Sequence, residues 1–217
     1  EGRAFPVETI YLGKSQSDPV HVQMANAVRR ALRAQAGSIL AFLPGAADIR
    51  RTAEQLADLP DDVAVAPLYG ALSPRDQDSA ISPAPKGCRK VVLSTDLAES
   101  SLTIEGVRIV IDAGLARVPE PARGRAAPQL KTIRASLANV DQRRGRAGRT
   151  EPGVCYRLWD HEETRGLVQA PEPEIIRSEL SGFLLRLMAW GANDPSELTW
   201  IDAPPKGTLA AARNELL

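Results

Sequence analysis

The chain has 217 residues, of which 43% are hydrophobic and 25% charged, so it can form one substantial domain, or one domain and part of a second. Lysine plus arginine and aspartate plus glutamate number 27 each, which excludes binding to nucleic acid through a strong overall positive charge. Two cysteines and two histidines, widely spaced, do not suit a disulfide framework or a zinc site, and we predict no metal site.

The N-terminal segment EGRAFPVE is charged, and the most apolar segment, FLLRLMAWG, is short and carries Arg186. Neither fits a signal peptide or a membrane-spanning helix. The sequence therefore predicts a soluble, cytoplasmic chain with no membrane partner. In that compartment Cys88 and Cys155 are expected to be reduced thiols.

Strand-like and helix-like segments alternate along the first 160 residues. Apolar residues recur at helical spacing over residues 21–36 and 45–59. Ser73 and Pro74 pair a capping residue with a proline at the first helical position, which predicts that another helix begins there. Short apolar runs predict strands at Ser38–Gly45, Val63–Gly70, Lys90–Asp96, Val107–Gly114 and Gly153–Asp160.

The central strands are apolar along nearly their whole length, which indicates a parallel sheet covered by helices on both faces. The predicted fold class is therefore α/β. Ligands of such folds bind at the carboxyl ends of the strands. The polar clusters YGALS, STDLAESS and DAG follow three of these strands and are placed to form a site.

The pattern changes beyond residue 168. A proline-rich stretch leads into a segment with apolar residues every three or four positions from Ile175 to Met188, which predicts a helix. We therefore place two domains at residues 1–168 and 169–217. The last residues, up to Leu217, read as part of another helix, so the second domain is expected to be partial.

The segment LGKS, residues 12–15, offers the end of a phosphate-binding loop, but the position five residues before Gly13 is Glu8 rather than glycine. No apolar strand is predicted before it, so we reject a phosphate-binding loop here. The sequence has no metal-ligating cluster and no nucleophile with an obvious base. Taken alone, it contains no complete catalytic site.

The most unusual segment is QRRGRAGR, residues 142–149, with four arginines and two glycines. In a helix that begins near Ser136, a good capping residue, Gln142, Arg146 and Arg149 lie on one face. Their amide and guanidinium groups are suited to phosphate oxygens, which guanidinium forks bind in bidentate fashion. An arginine face exposed to solvent is the alternative.

The two glycines of this segment are the argument against that alternative. Gly145 and Gly148 each cost about 1 kcal/mol relative to alanine inside a helix, which a merely solvated helix would not favour. We expect them to permit the close approach of another backbone or of a ligand. Arg143 and Arg144 are expected to point away from the predicted face.

QRRGRAGR resembles motif VI of the superfamily 2 helicases, in the form typical of the DEAH/RHA branch. STDLAESSLTIEGVRIVIDAG (residues 94–114) resembles motif V and the following strand, ILAFLPG (39–45) resembles motif IV, and PLYGALSPRDQ (67–77) resembles the segment between them. The motifs stand in the family's order, and the finer pattern is most similar to bacterial HrpB-type helicases. The resemblance covers nearly the whole chain and implies a second RecA-like domain followed by the start of a winged-helix domain.

In this family ATP, with Mg²⁺, lies between two RecA-like domains, and the first domain carries the phosphate-binding loop and the DEAH acids. The resemblance therefore implies that Arg146 and Arg149 are arginine fingers for the γ-phosphate, and that Gln142 helps to position it or the attacking water. Ser101 matches a hydroxyl that senses the γ-phosphate, and Asp112 matches a ribose contact. The chain alone is expected to be inactive.

The same resemblance implies contacts with the backbone of a nucleic acid. Thr95 matches the motif V residue that touches this backbone, and Gly70 lies in a segment close to that strand. Ser100 keeps the hydroxyl of the threonine usual in this motif. The implied partners are single-stranded RNA or DNA and the preceding RecA-like domain of the same protein. Such backbone contacts carry no sequence information.

One departure from the family pattern lies in motif V itself. Asp96 stands where the branch usually has asparagine, and a helix-capping carboxylate explains it as well as a catalytic role does. Two other functions are also open. One is a non-catalytic nucleic-acid-binding module that uses the eight basic residues from Arg123 to Arg149. The other is a RecA-like adaptor that activates a partner ATPase.

The second departure generates a prediction. Ile81 stands where eukaryotic relatives place a phenylalanine that stacks on adenine, so the base is expected to be discriminated only loosely. The intact enzyme should hydrolyse several nucleoside triphosphates, measured by phosphate release with each of ATP, GTP, CTP and UTP. A strict preference for ATP over the other three would contradict this expectation.

Overall fold

A computed structural model of the chain describes residues 5–15, 17–100, 104–120, 129–192 and 194–216, without the side chains of Ser100, Glu120 and Ser196. The chain divides into two compact units. The first holds residues 1–117 and 132–170, and the second holds residues 118–131 and 171–217.

The first unit is built on a six-stranded sheet. The strands of the chain are β1 (Val7–Tyr11), β2 (Ser38–Phe42), β3 (Val63–Leu68), β4 (Arg89–Ser94), β5 (Val107–Asp112), β6 (Leu115–Glu120), β7 (Gln129–Arg134) and β8 (Gly153–Arg157). The order across the sheet is β1-β8-β5-β2-β4-β3, and every neighbouring pair is parallel. β6 and β7 pair separately as a two-stranded sheet.

Helices cover both faces of the six-stranded sheet. In the first unit they are α1 (Val20–Ala34), α2 (Ala46–Gln55), α3 (Pro74–Ile81), α4 (Leu97–Ser100), α5 (Leu137–Gly145) and α6 (His161–Arg165). α1 and α2 pack on one face through a buried apolar cluster that includes Met24, Val28 and Ile49. α3, α4 and the 3₁₀ turn Arg146–Gly148 that follows α5 pack on the other face, where Ala80, Ala98 and Ala147 are buried.

The central strands are buried as their composition predicts. Every residue of β2 is buried, and β5 is buried except at one position, because each carries helices on both sides. Burying such apolar runs stabilises the sheet by about 25 cal/mol for each Å² removed from water. The predicted α/β fold with a parallel sheet and helices on both faces is confirmed.

Strand β1 was not expected from its sequence, VETIY, which has no continuous apolar run. It lies at the edge of the sheet, pairs with β8, and is only partly buried, so polar residues are tolerated there. A strand therefore does precede LGKS, contrary to our expectation. α1 begins only at Val20, however, whereas the Lys and Ser of a phosphate-binding loop open the helix directly.

The predicted helix caps are present. The Ser73 hydroxyl accepts a hydrogen bond from the Asp76 backbone N–H at 3.2 Å, with Pro74 at the first helical position. The Ser136 hydroxyl accepts one from the Asn139 N–H at 3.2 Å and begins α5. Each bond satisfies an amide that the first helical turn leaves without a partner.

The second unit contains α7 (Glu174–Arg177), α8 (Ser181–Trp190) and α9 (Lys206–Leu216). The predicted single helix over 175–188 is interrupted, because Ser178 adopts an extended backbone with ψ 152° and ends α7. Gly191, at φ +97°, ends α8 in the left-handed conformation that glycine adopts without strain. Leu180, Leu184 and Ala212 form the buried core between α8 and α9. Within the described ranges, no helix is long and apolar enough to cross a membrane.

Candidate functional site

The ends of β3 and β4 bring two of the predicted residues together. The backbone N–H of Thr95, just after β4, donates to the carbonyl oxygen of Leu68, the last residue of β3, at 3.3 Å. Gly70 follows two residues later and is exposed. Thr95 and Gly70 therefore lie at the same edge of the sheet, at the carboxyl ends of its strands, as the order of motifs predicts.

Thr95 and Asp96 precede α4 and make hydrogen bonds at its start. The Thr95 hydroxyl accepts a hydrogen bond from the Leu97 N–H at 3.5 Å, at the start of this helix. The side chain of Asp96 is exposed, and its backbone carbonyl accepts from the Glu99 N–H at 2.8 Å. The Thr95 hydroxyl thus binds the first amide of α4, and a capping role of the Asp96 carboxylate stays a prediction.

A buried arginine joins α5 to α4 and β5. Arg143 is 1% exposed, and its Nε donates to Glu99 Oε2 at 2.8 Å. Its Nη1 donates to Asp112 Oδ1 and to the carbonyl of Leu115, both at 3.0 Å. The guanidinium also lies 5.2 Å from the centre of the Phe42 ring, a cation–π contact. Arg143 therefore points into the core, which is one of the directions away from the predicted phosphate face.

This arrangement keeps Arg143 charged. Burial acts to lower the pKa of its guanidinium, but the negative charges of Asp112 and Glu99 outweigh that effect and raise the pKa above its ordinary value. Glu99 is itself 6% exposed, and its other carboxylate oxygen accepts from the side-chain amide of Asn139. One buried guanidinium thus pairs with two buried carboxylates inside the protein.

Asp112, the predicted ribose contact, has no exposed surface. Its Oδ1 accepts from both Arg143 and the Gly114 N–H, the latter at 2.8 Å. Its Oδ2 is buried and has no hydrogen-bond partner among the described residues. Burial, and to a lesser extent the negative charge of Asp112, raises the pKa of the neighbouring Cys155 thiol to about 12. The ribose contact of Asp112 stays a prediction.

α5 crosses one face of the sheet from the carboxyl edge to the amino edge. Just before the helix, the Ala135 N–H donates to the carbonyl of Gly114, which follows β5, at 3.0 Å. After the helix, the carbonyl of Gly148 accepts from the N–H of Phe5, which precedes β1, at 2.9 Å. Arg144 ties the helix to β1, since its Nε donates to Thr9 Oγ1 at 2.8 Å.

The predicted continuous α-helix is wrong beyond Gly145, where the backbone tightens into a 3₁₀ turn, Arg146–Gly148. A 3₁₀ helix has three residues per turn, so the side chains at positions i and i+3 lie above one another. Arg146 and Arg149 have this spacing, and Gln142 lies one turn earlier on α5 with an exposed side chain. Because the helix type changes after Gly145, Gln142 and the two arginines do not have the spatial relation that one continuous α-helix would give them.

Arg146 and Arg149 differ in exposure, and the charge of Arg149 acts on the guanidinium of Arg146. Arg146 is 9% exposed, and its Nη2 donates to the backbone carbonyl of Glu99, whereas Arg149 is exposed. Burial lowers the pKa of the Arg146 guanidinium, and the nearby positive charge of Arg149 lowers it further, against a smaller opposite effect of Glu99. The 3₁₀ turn and the residue that follows it therefore carry two like charges close enough to interact.

The two glycines of the segment have different surroundings. A Cβ atom at Gly148 would lie 2.6 Å from the Phe5 carbonyl oxygen and 2.7 Å from Val7 Cγ2, so the expected close approach of another backbone is confirmed there. A Cβ at Gly145 would meet no described atom within 4 Å, and Gly145 is exposed. The described part of the chain gives no reason for glycine at position 145.

Ile81 ends α3 and is partly buried against the apolar cluster of that face. Lys90, at the start of β4, donates from Nζ to the carbonyls of Ser79 at 2.8 Å and Ser82 at 2.6 Å, which holds the end of α3 in place. Ile81 therefore lies toward the amino ends of the strands, as the 3₁₀ turn does. Asp112, also a predicted nucleotide residue, instead ends β5 and lies at the carboxyl edge with Thr95 and Gly70, so the predicted nucleotide residues do not share one edge of the sheet.

The basic segment from Arg123 to Arg149 is not a single charged surface. Arg134 pairs with Glu163 at 3.3 Å and lies 5.4 Å from the Trp159 ring centre, while Arg143 and Arg144 make the internal contacts described above. Lys131 and Arg149 are exposed. Four predicted positions fall outside the description: Arg123, Arg125, Ser101 and the side chain of Ser100.

Residues 23–151 match the sequence pattern of a family described as the helicase conserved C-terminal domain. The chain belongs to this family. The ATP-dependent RNA helicase HrpB of Escherichia coli (strain K12) is 46% identical over 217 residues, which are 100% of this chain and 27% of that protein. The pre-mRNA-splicing factor ATP-dependent RNA helicase DEAH10 of Arabidopsis thaliana is 37% identical over 100% of this chain and 31% of its own length.

A solved structure agrees with these relationships. The crystal structure of Escherichia coli DEAH/RHA helicase HrpB matches this helicase domain with a TM-score of 0.92 and 46% identity, over 100% of this chain and 28% of that one. The predicted RecA-like fold and the resemblance to DEAH/RHA helicases are confirmed. The chain spans between a quarter and a third of the length of these relatives.

Sequence reasoning missed Glu99 and Arg143, the two charged residues that organise this helicase domain internally. A usable signal was present, since Val140, Arg143 and Ala147 have the i, i+3, i+7 spacing of a buried helical stripe, and all three are buried. An arginine in such a stripe requires buried carboxylates as partners. Motif V and the end of β5 offer two, Glu99 and Asp112.

The glycine pair gives a first prediction. Gly148→Ala should lower the free energy of unfolding by about 1–3 kcal/mol, because the new methyl group overlaps the Phe5 carbonyl. Gly145→Ala should raise it by up to about 1 kcal/mol, because alanine favours the helix and meets no neighbour. Urea unfolding followed by circular dichroism measures both. Equal losses in the two variants would contradict the different surroundings of the glycines.

The buried ion pairs give a second prediction. Arg143→Met should destabilise the domain by about 3–5 kcal/mol, because Glu99 and Asp112 would remain buried without their cation. Arg30→Met, at an exposed position of α1, is the matched control and should change the stability by no more than about 0.5 kcal/mol. A loss for Arg143→Met no larger than the control's, in the same urea titration, would show that the network contributes little.

Proposed function

We propose that this helicase domain is the second motor domain of an ATP-dependent DEAH-type RNA helicase. It would supply Arg146 and Arg149 to ATP bound against a first RecA-like domain and contact the nucleic-acid backbone at the carboxyl edge of its sheet. The observation that carries the proposal is the 3₁₀ turn, which places Arg146 three residues before Arg149 and brings the positive charge of Arg149 close enough to act on the Arg146 guanidinium. An anion bound by both groups would relieve the repulsion between them.

The chemistry of these side chains suits the phosphates of a nucleotide. Guanidinium groups bind phosphate oxygens through two parallel hydrogen bonds and stay charged at neutral pH. Placed beside the transferred phosphoryl group, Arg146 and Arg149 would stabilise the negative charge that develops on it. Gln142, exposed one helical turn earlier, would orient that group or the attacking water through its amide. Ser101 and Asp112 keep the nucleotide contacts that the resemblance implies.

Mg²⁺ would be bound by the first RecA-like domain rather than by this one. Mg²⁺ prefers carboxylate and water oxygens in an octahedral arrangement. In the described part of the chain, no three histidine, cysteine or acidic side chains are grouped to hold a metal ion. The guanidinium groups of Arg146 and Arg149 are hydrogen-bond donors, which fit the phosphate part of ATP–Mg²⁺. This domain's contribution is thus binding and electrostatic stabilisation.

The nucleic acid would lie along the carboxyl ends of β3 and β4. Gly70 is exposed there, and no described atom lies within 4 Å of a Cβ built on it, so a sugar–phosphate backbone could come close. Thr95 lies beside it, and Ser100 follows at the end of α4. We take RNA as the substrate because similar proteins carry the name RNA helicase. Residues 169–217 would begin a winged-helix domain.

The decisive experiment is ATP hydrolysis by the natural full-length protein with and without single-stranded RNA. Arg149→Ala should lower the RNA-stimulated kcat by about a thousandfold, the usual effect of removing an arginine finger, while ATP binding persists. Arg51→Ala, exposed on α2 on the opposite face of the sheet, is the matched control and should retain full activity.

Two results would redirect the proposal. Unchanged turnover with weaker RNA binding in Arg149→Ala would assign the arginines to the nucleic-acid backbone, as in a non-catalytic binding module. Turnover that appears only after a separate ATPase is added would indicate an adaptor that acts on a partner. RNA binding is measured by fluorescence anisotropy at several salt concentrations, because phosphate contacts weaken as salt rises.

A further inference from the structure

Glu99 is held by two arginines that lie three residues apart. Its carboxylate accepts from Arg143 Nε at 2.8 Å, and its backbone carbonyl accepts from Arg146 Nη2. A third contact comes from Asn139, whose side-chain amide donates to the other carboxylate oxygen. One residue of α4 therefore binds α5 through its side chain and the 3₁₀ turn through its main chain.

The carbonyl of Glu99 is available because α4 is a single turn of four residues, Leu97–Ser100. The last carbonyls of a helix have no partner within the helix, and they favour a positive charge nearby. Arg146 supplies that charge. The position of the Arg146 guanidinium consequently depends on where the end of α4 lies. The Glu99 carboxylate fixes the end of α4 through its ion pair with Arg143.

We propose that Glu99 is a positioning residue for Arg146, which sets the direction of the guanidinium through the Glu99 carbonyl and touches neither nucleotide nor nucleic acid itself. This inference rests on the proposed function of Arg146. A long side chain that must meet a phosphate needs a fixed starting geometry, because misplacement by about 1 Å can cost a factor of about a hundred in rate. Burial of both Glu99 and Arg146 supports this fixed arrangement.

The test is steady-state ATP hydrolysis by the full-length protein at saturating RNA. Glu99→Gln keeps the size of the side chain and one acceptor oxygen. It removes the negative charge, however, and places an NH₂ group opposite a hydrogen-bond donor, either Arg143 or Asn139. We expect kcat to fall by about ten- to a hundredfold, with KM for ATP within about twofold of the wild-type value, because the lost interaction belongs to the transition state.

A double-mutant cycle separates positioning from a general effect on the fold. If Glu99 acts through Arg146, Glu99→Gln lowers kcat in the wild-type background and has no further effect in the Arg146→Ala background. If Glu99 acts only through the fold, kcat falls by the same factor in both backgrounds, and the inference is overturned. An unchanged kcat in Glu99→Gln alone would overturn it as well.

Two further variants keep the test decisive. Arg89→Met removes a side chain that donates to the carbonyls of Gly37 at 2.9 Å and Leu32 at 2.8 Å, away from α4. It is the control for a general loss of stability, and its kcat should stay at the wild-type value. If Glu99→Gln does not fold, Asn139→Ala replaces it, because it removes one hydrogen bond from the same carboxylate without unpairing a charge. Asn139→Ala should cause a smaller loss of kcat in the wild-type background and no further loss in the Arg146→Ala background. Full turnover in Arg146→Ala would instead contradict the proposed function itself.

Discussion

The rest of the candidate site depends on the buried ion pairs of Arg143 with Glu99 and Asp112. Asp112 ends a central strand, Glu99 lies in α4 and Arg143 lies in α5, so one guanidinium joins three elements. Helices as short as α4 and α5, with four and nine residues, are not stable by themselves in water. Their positions on the sheet must therefore come from packing and from these charged contacts.

Such a network fixes the positions of the helices more than it stabilises the fold. Moving two carboxylates and a guanidinium out of water costs several kcal/mol for each ion, and their mutual attraction only approximately offsets that cost. An apolar cluster of the same volume could hold the helices equally well. It would not fix the Glu99 carbonyl at one place relative to the 3₁₀ turn, however, and Arg146 binds that carbonyl.

The parts of the fold predicted correctly are those that local physics decides. β2 and β5 are apolar because both faces are covered, and Ser73 and Ser136 cap helices with hydrogen bonds to residues three positions away. β1 and the two-stranded sheet of β6 and β7 were missed. β1 forms at an edge through pairing with β8, which is more than 140 residues away, so its local sequence carries only a weak signal.

The same distinction applies to the two glycines of QRRGRAGR. Gly148 is explained within the chain, because the carbonyl of Phe5 occupies the space that a side chain would need. Gly145 is exposed, lies at the end of α5, and has no described neighbour that requires glycine, although glycine there costs about 1 kcal/mol relative to alanine. Under the proposed function, the phosphate bound by Arg146 and Arg149 would come close to Gly145, and a residue without a side chain would leave it room.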